Sequence, residues 1–224
     1  MEKWRNLETD KDPREMDLCT FCHPSPRYGT TPPVLYEDDE VYVMPALGQF
    51  TEGYLLLIHQ DHVDCFGDAA NGHVDRVKDR IRDVLVEEYG ACTFYEHGRT
   101  GSCLTRGQAR ICYHAHIHCV PMAENFTDRI EQDFDRVPVD EWPEIADHYE
   151  DNPHYLYLET DDGEKSFFIA EENIERQYLR KRACEALGFD EEEANWADNP
   201  YWDRIYDTVA DLRDAIPESD TVMH

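Results

Sequence analysis

Positive charge is what this sequence has least of. Lysine stands only at Lys3, Lys11, Lys78, Lys165 and Lys181, and 21 Lys and Arg face 50 Asp and Glu, a formal net charge of -29. So few cations build no basic face, which argues against duplex nucleic acid as a partner, because duplex affinity comes largely from neutralised phosphates. Long apolar runs are missing too. The longest is Tyr54 to Ile58, far short of the ~20 residues that cross a bilayer, so no membrane span is expected. The opening stretch, Met1 to Met16, is polar and lacks the apolar segment of a secretory signal. A cytoplasmic location is the expectation. The eight cysteines are scattered through a chain of 224 residues, which fits a reducing compartment with thiols on metal better than a disulfide framework. There are no internal repeats.

What the chain has in excess is carboxylate, spread along its whole length. Such a surface resembles that of haloarchaeal cytoplasmic proteins, which hold hydrated carboxylates against molar salt. Self-repulsion at this density destabilises the compact state unless salt screens it. The fold is expected to loosen below about 0.5 M salt, where the Debye length grows past a few Å. A melting temperature independent of KCl concentration would contradict this halophilic reading, leaving an ordinary acidic protein. A small phosphorylated ligand remains acceptable to such a chain, because a local arginine cluster in a cleft outweighs distant, screened carboxylates.

The chemistry concentrates in His114-Ala115-His116-Ile117-His118. Residues i, i+2 and i+4 of a strand share one face, about 7 Å apart at each step. Three imidazoles so aligned point to metal, phosphate or both; three hydrogen-bonded core histidines are the plainer alternative. Near the N-terminus, Cys19-Thr20-Phe21-Cys22 spaces two thiolates for one tetrahedral metal ion, usually zinc. A redox dithiol competes, but that motif opens a helix, whereas His23-Pro24-Ser25-Pro26 reads as loop. Before the triad, Phe94-Tyr95-Glu96-His97-Gly98 runs into a loop with Gly98, Gly101, Ser102 and Gly107. Its backbone N–H groups can cradle phosphate oxygens, and Arg99, Arg106 and Arg110 add positive charge.

Organisation follows from the periodicity. Leu35 to Met44, turning at Glu37-Asp38-Asp39-Glu40, and Gly53 to Ile58 read as strands. Ala69 to Tyr89 is a helix with Val74, Val77, Ile81, Val84, Leu85 and Val86 at helical spacing, and strands follow at Thr93 to Glu96 and Ile111 to Val120. The expected division is a polar segment 1–16, a core 17–122, an acidic linker 123–153 with a short helix at its start, and a C-terminal extension 154–224 packing on the core. The extension reads as strands Tyr155 to Glu159 and Ser166 to Ala170, a helix Glu171 to Leu187 ended by Gly188, and a final helix of about Pro200 to Ile216. Trp202, Ile205, Val209 and Leu212 form a packing stripe on that last helix, with Trp196 also placed in the core. The basic patch Arg176 to Arg182 offers Gln177 and Arg180 to a phosphate in the triad cleft, because Arg forks match phosphate oxygens.

His114 to Val120 resembles the His-φ-His-φ-His-φ-φ signature of the histidine triad (HIT) superfamily. Gly53-Tyr54-Leu55-Leu56-Leu57-Ile58-His59-Gln60-Asp61-His62 is similar to that family's Gly-His-φ-Leu-φ-φ-Pro-x-x-His strand, and Gly107-Gln108-Ala109 to its Gly-Gln-Ser/Thr, displaced by two residues. The resemblance implies an α+β fold, a HIT-like antiparallel sheet with packed helices, plus a C-terminal β-hairpin and helical extension. In the zinc-bearing branch it implies a structural Zn2+ on Cys19, Cys22, His62 and His114. His116 becomes the nucleophile that attacks the α-phosphorus of a nucleotide conjugate, and His118 a hydrogen-bond partner of phosphate oxygens. One of Ser102, Thr105 or Gln108 takes the place beside the leaving group, with Arg99, Arg106, Gln177 and Arg180 binding substrate.

In small family members an acidic residue holds the ribose. Here that place falls on Ala46, with Glu52 and Asp39 the candidate carboxylates. The implied partner is a small phosphorylated ligand, a nucleotide, with a homodimer the implied oligomer. Three alternatives stay open. One is a non-catalytic, zinc-stabilised nucleotide-binding module. Another is an enzyme like galactose-1-phosphate uridylyltransferase, although that family has glutamine where His118 stands. The third is an open metal centre on all three triad histidines.

Overall fold

The computed structural model describes residues 19, 21–22, 33–101 and 113–216. The segment 1–16 and the candidate ligand residues Ser102, Arg106 and Gln108 lie outside the described residues. The α+β class read from the sequence holds. Eight strands form one antiparallel sheet, with five α-helices among the described residues. The strands are β1 (Tyr36–Glu37), β2 (Val41–Pro45), β3 (Leu55–His59), β4 (Thr93–Gly98), β5 (His116–Val120), β6 (Asp135–Val139), β7 (Tyr155–Glu159) and β8 (Lys165–Ile169). They lie in the order β1-β2-β3-β5-β4-β7-β8-β6. Helices α1 (Gly72–Tyr89), α2 (Thr127–Ile130), α3 (Ile145–Asp151), α4 (Tyr178–Ala186) and α5 (Trp202–Leu212) complete the fold. No helix among the described residues is long and apolar enough to cross a membrane.

Alternation along the strands splits the core in two. Leu55, Leu57, Phe94, Ala115, Ile117, Cys119, Tyr155 and Phe167 face α1. Leu56, Ile58, Tyr95, Leu156, Leu158 and Phe168 belong to the other cluster, with Leu179 and Ala183 of α4. Helix α1 buries Val74, Val77, Ile81 and Leu85, whereas Val86 faces outward at 41% exposure. Asn71 caps it by accepting from the amides of His73 and Val74 at 2.8 and 3.1 Å, a cap worth about 1 kcal/mol. Lys78 lies wholly buried in the same stripe. Its Nζ meets Glu159 Oε2 at 2.5 Å while Arg82 takes the other carboxylate oxygen at 2.8 Å, tying α1 to β7.

Three expectations need correction. The stretch 123–153 is more than a linker: it supplies α2, β6 and α3, and β6 pairs with β8 from Asp135↔Ile169 to Val139↔Lys165. Pro138 sits in β6 because β6 is the sheet's edge strand, where a missing N–H breaks no ladder. Helix α4 starts at Tyr178, later than expected. Thr100 Oγ1 donates to the Glu171 carbonyl and the Gly101 amide to that of Glu172 at 3.2 Å, so tertiary hydrogen bonds outcompete the helix there. Gln177 turns the corner with φ of 59°. On α5 the buried stripe is Ile205, Thr208, Val209 and Leu212, and Trp202 is half-exposed. Trp196, expected in the core, is partly exposed, and among the described residues the fully buried tryptophan is Trp142, packed against Phe66.

The extension reaches the core through more than the sheet. Thr208 of α5 accepts from the Gly53 amide at 2.9 Å and donates to Gln49 at 2.8 Å. Position 53 demands glycine: φ is 77°, and a Cβ there would lie 2.3 Å from the Tyr89 ring. The turn that launches β3 is thereby fixed against α1 and α5 together.

Candidate functional site

The triad spans a strand end, and its first member departs from the strand. Strand β5 begins at His116; Ala115 still bonds its neighbours, accepting from the His59 amide at 3.1 Å and donating to Val63 at 2.8 Å. Pairing sets the rest. Ile58 lies opposite His116 and Leu56 opposite His118 on one side, and Tyr95 lies opposite His118 on the other. The imidazoles of His116 and His118 share a face, their centroids 4.9 Å apart.

His114 turns toward the N-terminal thiols. Its Nε2–H donates to the His59 carbonyl at 2.7 Å, which leaves the Nδ1 lone pair for the cluster. Around that Nδ1 stand Cys19 Sγ at 3.4 Å, Cys22 Sγ at 3.5 Å and His62 Nδ1 at 3.3 Å, with Cys22 Sγ 3.1 Å from His62 Nδ1. All four donor atoms lie within 4.8 Å of one another. A tetrahedron with metal–sulfur bonds of about 2.3 Å and metal–nitrogen bonds of about 2.05 Å has N···N and S···N edges of roughly 3.3–3.6 Å. The set therefore fits a tetrahedral metal ion, and the carbonyl behind His114 is the outer partner such a ligand needs. The pairing of Cys19, Cys22, His62 and His114 implied by the resemblance is thus brought together as one group that could hold a metal ion. His59 offers the cluster its carbonyl; its ring lies on the opposite face, 6.0 Å from Phe66.

His116 is half-buried beside the Phe21 ring, centroids 4.9 Å apart. Its Nδ1–H donates to the His114 carbonyl at 2.7 Å, so Nε2 carries the free lone pair. Burial brings its pKa down to about 4 against that hydrogen bond, and the ring is neutral near pH 7. His118 is buried and held well below the usual histidine range by burial, then by His116, Arg180 and His97. Its Nδ1 lies 2.6 Å from the Tyr54 hydroxyl, and Tyr95 stacks on its ring at 4.6 Å.

The other named candidates divide. Arg180, 3% exposed, gives Nε to the Ala194 carbonyl at 3.1 Å, Nη1 to Tyr54 Oη at 2.7 Å and Nη2 to the Gly48 carbonyl at 2.7 Å. It meets the triad through Tyr54. Arg99 follows β4 with φ of 54°, paired with Asp64 at 3.3 Å and donating to Tyr149 Oη at 3.1 Å. Gln177 precedes α4 in the same left-handed region. Ala46, at the family's ribose position, is buried among apolar residues, and Glu52 and Asp39 are exposed.

Sequence reasoning passed over Tyr54, Tyr95 and His97. His97 shares the triad face: its Nε2 accepts from the Leu179 amide at 3.2 Å, and its ring is T-shaped to His118 at 6.3 Å. Burial, then His116 and Arg180, lower it to about 3. The signal was the alternation Tyr95-Glu96-His97, whose facing becomes readable once Tyr95 is set opposite His118.

No protein-family model matches the chain, and no curated protein does. Solved structures do. A Hit-like protein of Bartonella henselae, described as involved in cell-cycle regulation and holding an unknown ligand, is 18% identical. It covers 50% of this chain and 80% of its own, with a TM-score of 0.34. A hypothetical histidine triad nucleotide-binding protein of Sulfolobus tokodaii is 20% identical over 48% of this chain and 70% of its own, TM-score 0.30. A HIT family protein of Bacillus anthracis is 20% identical over 41% and 64%, TM-score 0.30.

Proposed function

We propose that this chain is a zinc-bearing HIT protein that cleaves or transfers a nucleotide at its α-phosphate through a nucleotidyl-histidine on His116. The observation that carries the reading is the His116 ring: Nδ1–H is pinned on the His114 carbonyl at 2.7 Å, and Nε2 is left as a neutral nucleophile on a half-buried face. In the first half-reaction the Nε2 lone pair forms a P–N bond while the bond from phosphorus to the leaving group breaks, its electron pair departing with that group. Water or another acceptor then attacks phosphorus, the P–N bond breaks, and neutral imidazole is regenerated. His118 hydrogen-bonds the phosphate oxygens, and Arg99, with Ser102, Arg106 and Gln108 further along the sequence, binds the charge developing there. Gln177, which precedes α4, is a further substrate-binding residue in this reading.

Cys19, Cys22, His62 and His114 would hold zinc. With four protein donors a zinc ion there would have no open position and would serve to cross-link Cys19 and Cys22 to the triad strand. The protein works in the cytoplasm on a small phosphorylated ligand.

The test is turnover in high-salt buffer with zinc, for the wild type and His116→Ala. The panel comprises diadenosine polyphosphates, adenosine phosphoramidate, adenylated lysine and UDP-sugars, read by chromatography of released mononucleotide. Release by the wild type alone is the expected result and names the leaving group. Equal release by both proteins, or none from any substrate by a folded, metal-loaded wild type, overturns the catalytic reading and leaves a nucleotide-binding module.

A further inference from the structure

The Tyr54 hydroxyl is a junction with three partners: Arg180 Nη1 at 2.7 Å, Tyr95 Oη at 2.6 Å and His118 Nδ1 at 2.6 Å. A hydroxyl has one proton to give and two lone pairs to receive with. Arg180 can only donate, so it fills the first lone pair. Tyr95 is fully buried, and Tyr54 is its hydrogen-bond partner in the structure. Were Tyr54 to donate to Tyr95, the Tyr95 proton would be sealed in the core with no acceptor among the described residues, a costly arrangement. Tyr95 therefore donates and fills the second lone pair. The one proton left on Tyr54 has a single destination, His118 Nδ1. The proton of neutral His118 must then sit on Nε2, and no acceptor meets Nε2 among the described residues.

We infer that Arg180, Tyr54 and Tyr95 form a positioning device that fixes the tautomer of His118, presenting Nε2–H as a donor beside His116. The value of this donor for catalysis rests on the proposed nucleotidyl transfer; the tautomer itself does not. The device is built rigidly. Arg180 is clamped at its other two nitrogens by the carbonyls of Ala194 and Gly48, and its guanidinium lies over the Phe50 and Tyr54 rings at 5.2 and 5.0 Å. Gly48 has φ of 70°, and a Cβ there would lie 2.9 Å from Arg180 Nη2, so the approach needs glycine. Next to Arg180, the Leu179 amide occupies His97 Nε2, which puts that ring's proton on Nδ1. One turn of α4, from the C-terminal extension, thus governs the proton positions of both His118 and His97. A neutral donor of fixed direction suits an anionic ligand, because it stabilises charge without reorganising as the charge grows.

The experiment is a two-bond 1H–15N correlation spectrum of the full chain, labelled on histidine, with His118 assigned by His118→Gln. The expected wild-type spectrum shows the His118 proton on Nε2 and a hydrogen-bonded acceptor at Nδ1. In Tyr54→Phe both ring nitrogens move toward the averaged positions of a ring without a fixed tautomer. In Tyr95→Phe, which keeps the Tyr54 proton, they stay in place. The kcat of Tyr54→Phe falls about ten- to a hundredfold with KM within about twofold, as for loss of a transition-state donor. A wild-type proton on Nδ1 overturns the inference and needs no variant to fold. So do nitrogens unmoved by Tyr54→Phe, or moved equally by Tyr95→Phe. If the wild type shows no turnover while the spectra behave as expected, the functional reading fails and the device stands; turnover with the proton on Nδ1 is the reverse case.

Discussion

The two ends of the triad are held by opposite means. At the His114 end, two thiols and two imidazole nitrogens aim their lone pairs at one point, their closest approaches between 3.1 and 3.5 Å. Lone pairs at that spacing repel unless a cation sits among them. At the His118 end the one proton and two lone pairs of the Tyr54 hydroxyl are all matched by His118 Nδ1, Tyr95 and Arg180, and no ion is needed to hold them together. The first end is conditional and the second complete. His116 stands between them and depends on both: the His114 carbonyl holds its Nδ1–H, and the His118 ring packs against it at 4.9 Å. The half-exposed residue is the one whose free nitrogen faces neither support.

The largest expected effect separates His116 from both ends. His116→Ala should lower nucleotide release by at least about a thousandfold, as for loss of a nucleophile, and keep about one metal ion per chain. Loss of the ion in this variant would make His116 a ligand and abolish the contrast. Next comes the conditional end. Cys22→Ser, or chelation of the wild type, should cost at least about 3 kcal/mol of stability, because binding free energy at a closed site is folding free energy. Turnover should fall about 10- to 100-fold as the support behind His116 loosens. The His118 ring nitrogens should not move on chelation. If they shift as far as those of His116, the ends are one unit and the comparison is broken.

A third region calibrates both. The Lys78–Glu159–Arg82 group lies on the α1 side of the sheet, fully buried at Lys78, with Tyr157 also donating to Glu159 at 2.8 Å. Lys78→Met leaves Glu159 with Arg82 as its remaining cation and should destabilise by about 3–5 kcal/mol in thermal or denaturant unfolding. Metal content should be unchanged. A drop in metal content would mean that general destabilisation opens the cluster, and Cys22→Ser could then not be read as a local effect.

What was legible in the sequence follows from where the determining interactions lie. Strands β2 to β5, helix α1 and the β7–β8 hairpin announce themselves by local periodicity, and the cluster by residue types with few other uses at that spacing. Strand β6 stayed hidden because an edge strand tolerates the acidic residues and the proline that read as linker. Helix α4 is shorter than its sequence suggests because the carbonyls of Glu171 and Glu172 serve Thr100 and Gly101, partners some seventy residues away in sequence. The basic neighbourhood of Arg180 suggests a phosphate ligand; no local pattern shows that Gly48, Tyr54 and Ala194 converge on its nitrogens. Tyr54 looked like one more residue of an apolar strand, and its hydroxyl acquires meaning from the pairing of β3, β5 and β4.

Strand β4 carries the same contrast across its two faces, and there the expected effect is the smallest. Tyr95 and His97 look toward the triad, while Glu96 looks toward the α1 side. It is 1% exposed and accepts from the Phe66 amide at 2.8 Å and from Tyr155 Oη at 2.7 Å. Burial raises its pKa to about 7 despite those two donors, with Asp68 adding to the rise. Between about pH 4.5 and 7 the native state holds a proton that the unfolded chain has released. Stability must therefore fall as pH rises through that window and level off above it. Measured as the difference between the wild type and Glu96→Gln, this slope should amount to about 3 kcal/mol over the window. It should be the same with and without metal, since Glu96 faces away from the cluster. A slope that vanishes on chelation would join the two faces of β4 energetically, and the separation drawn between the conditional and the complete end would have to be given up there as well.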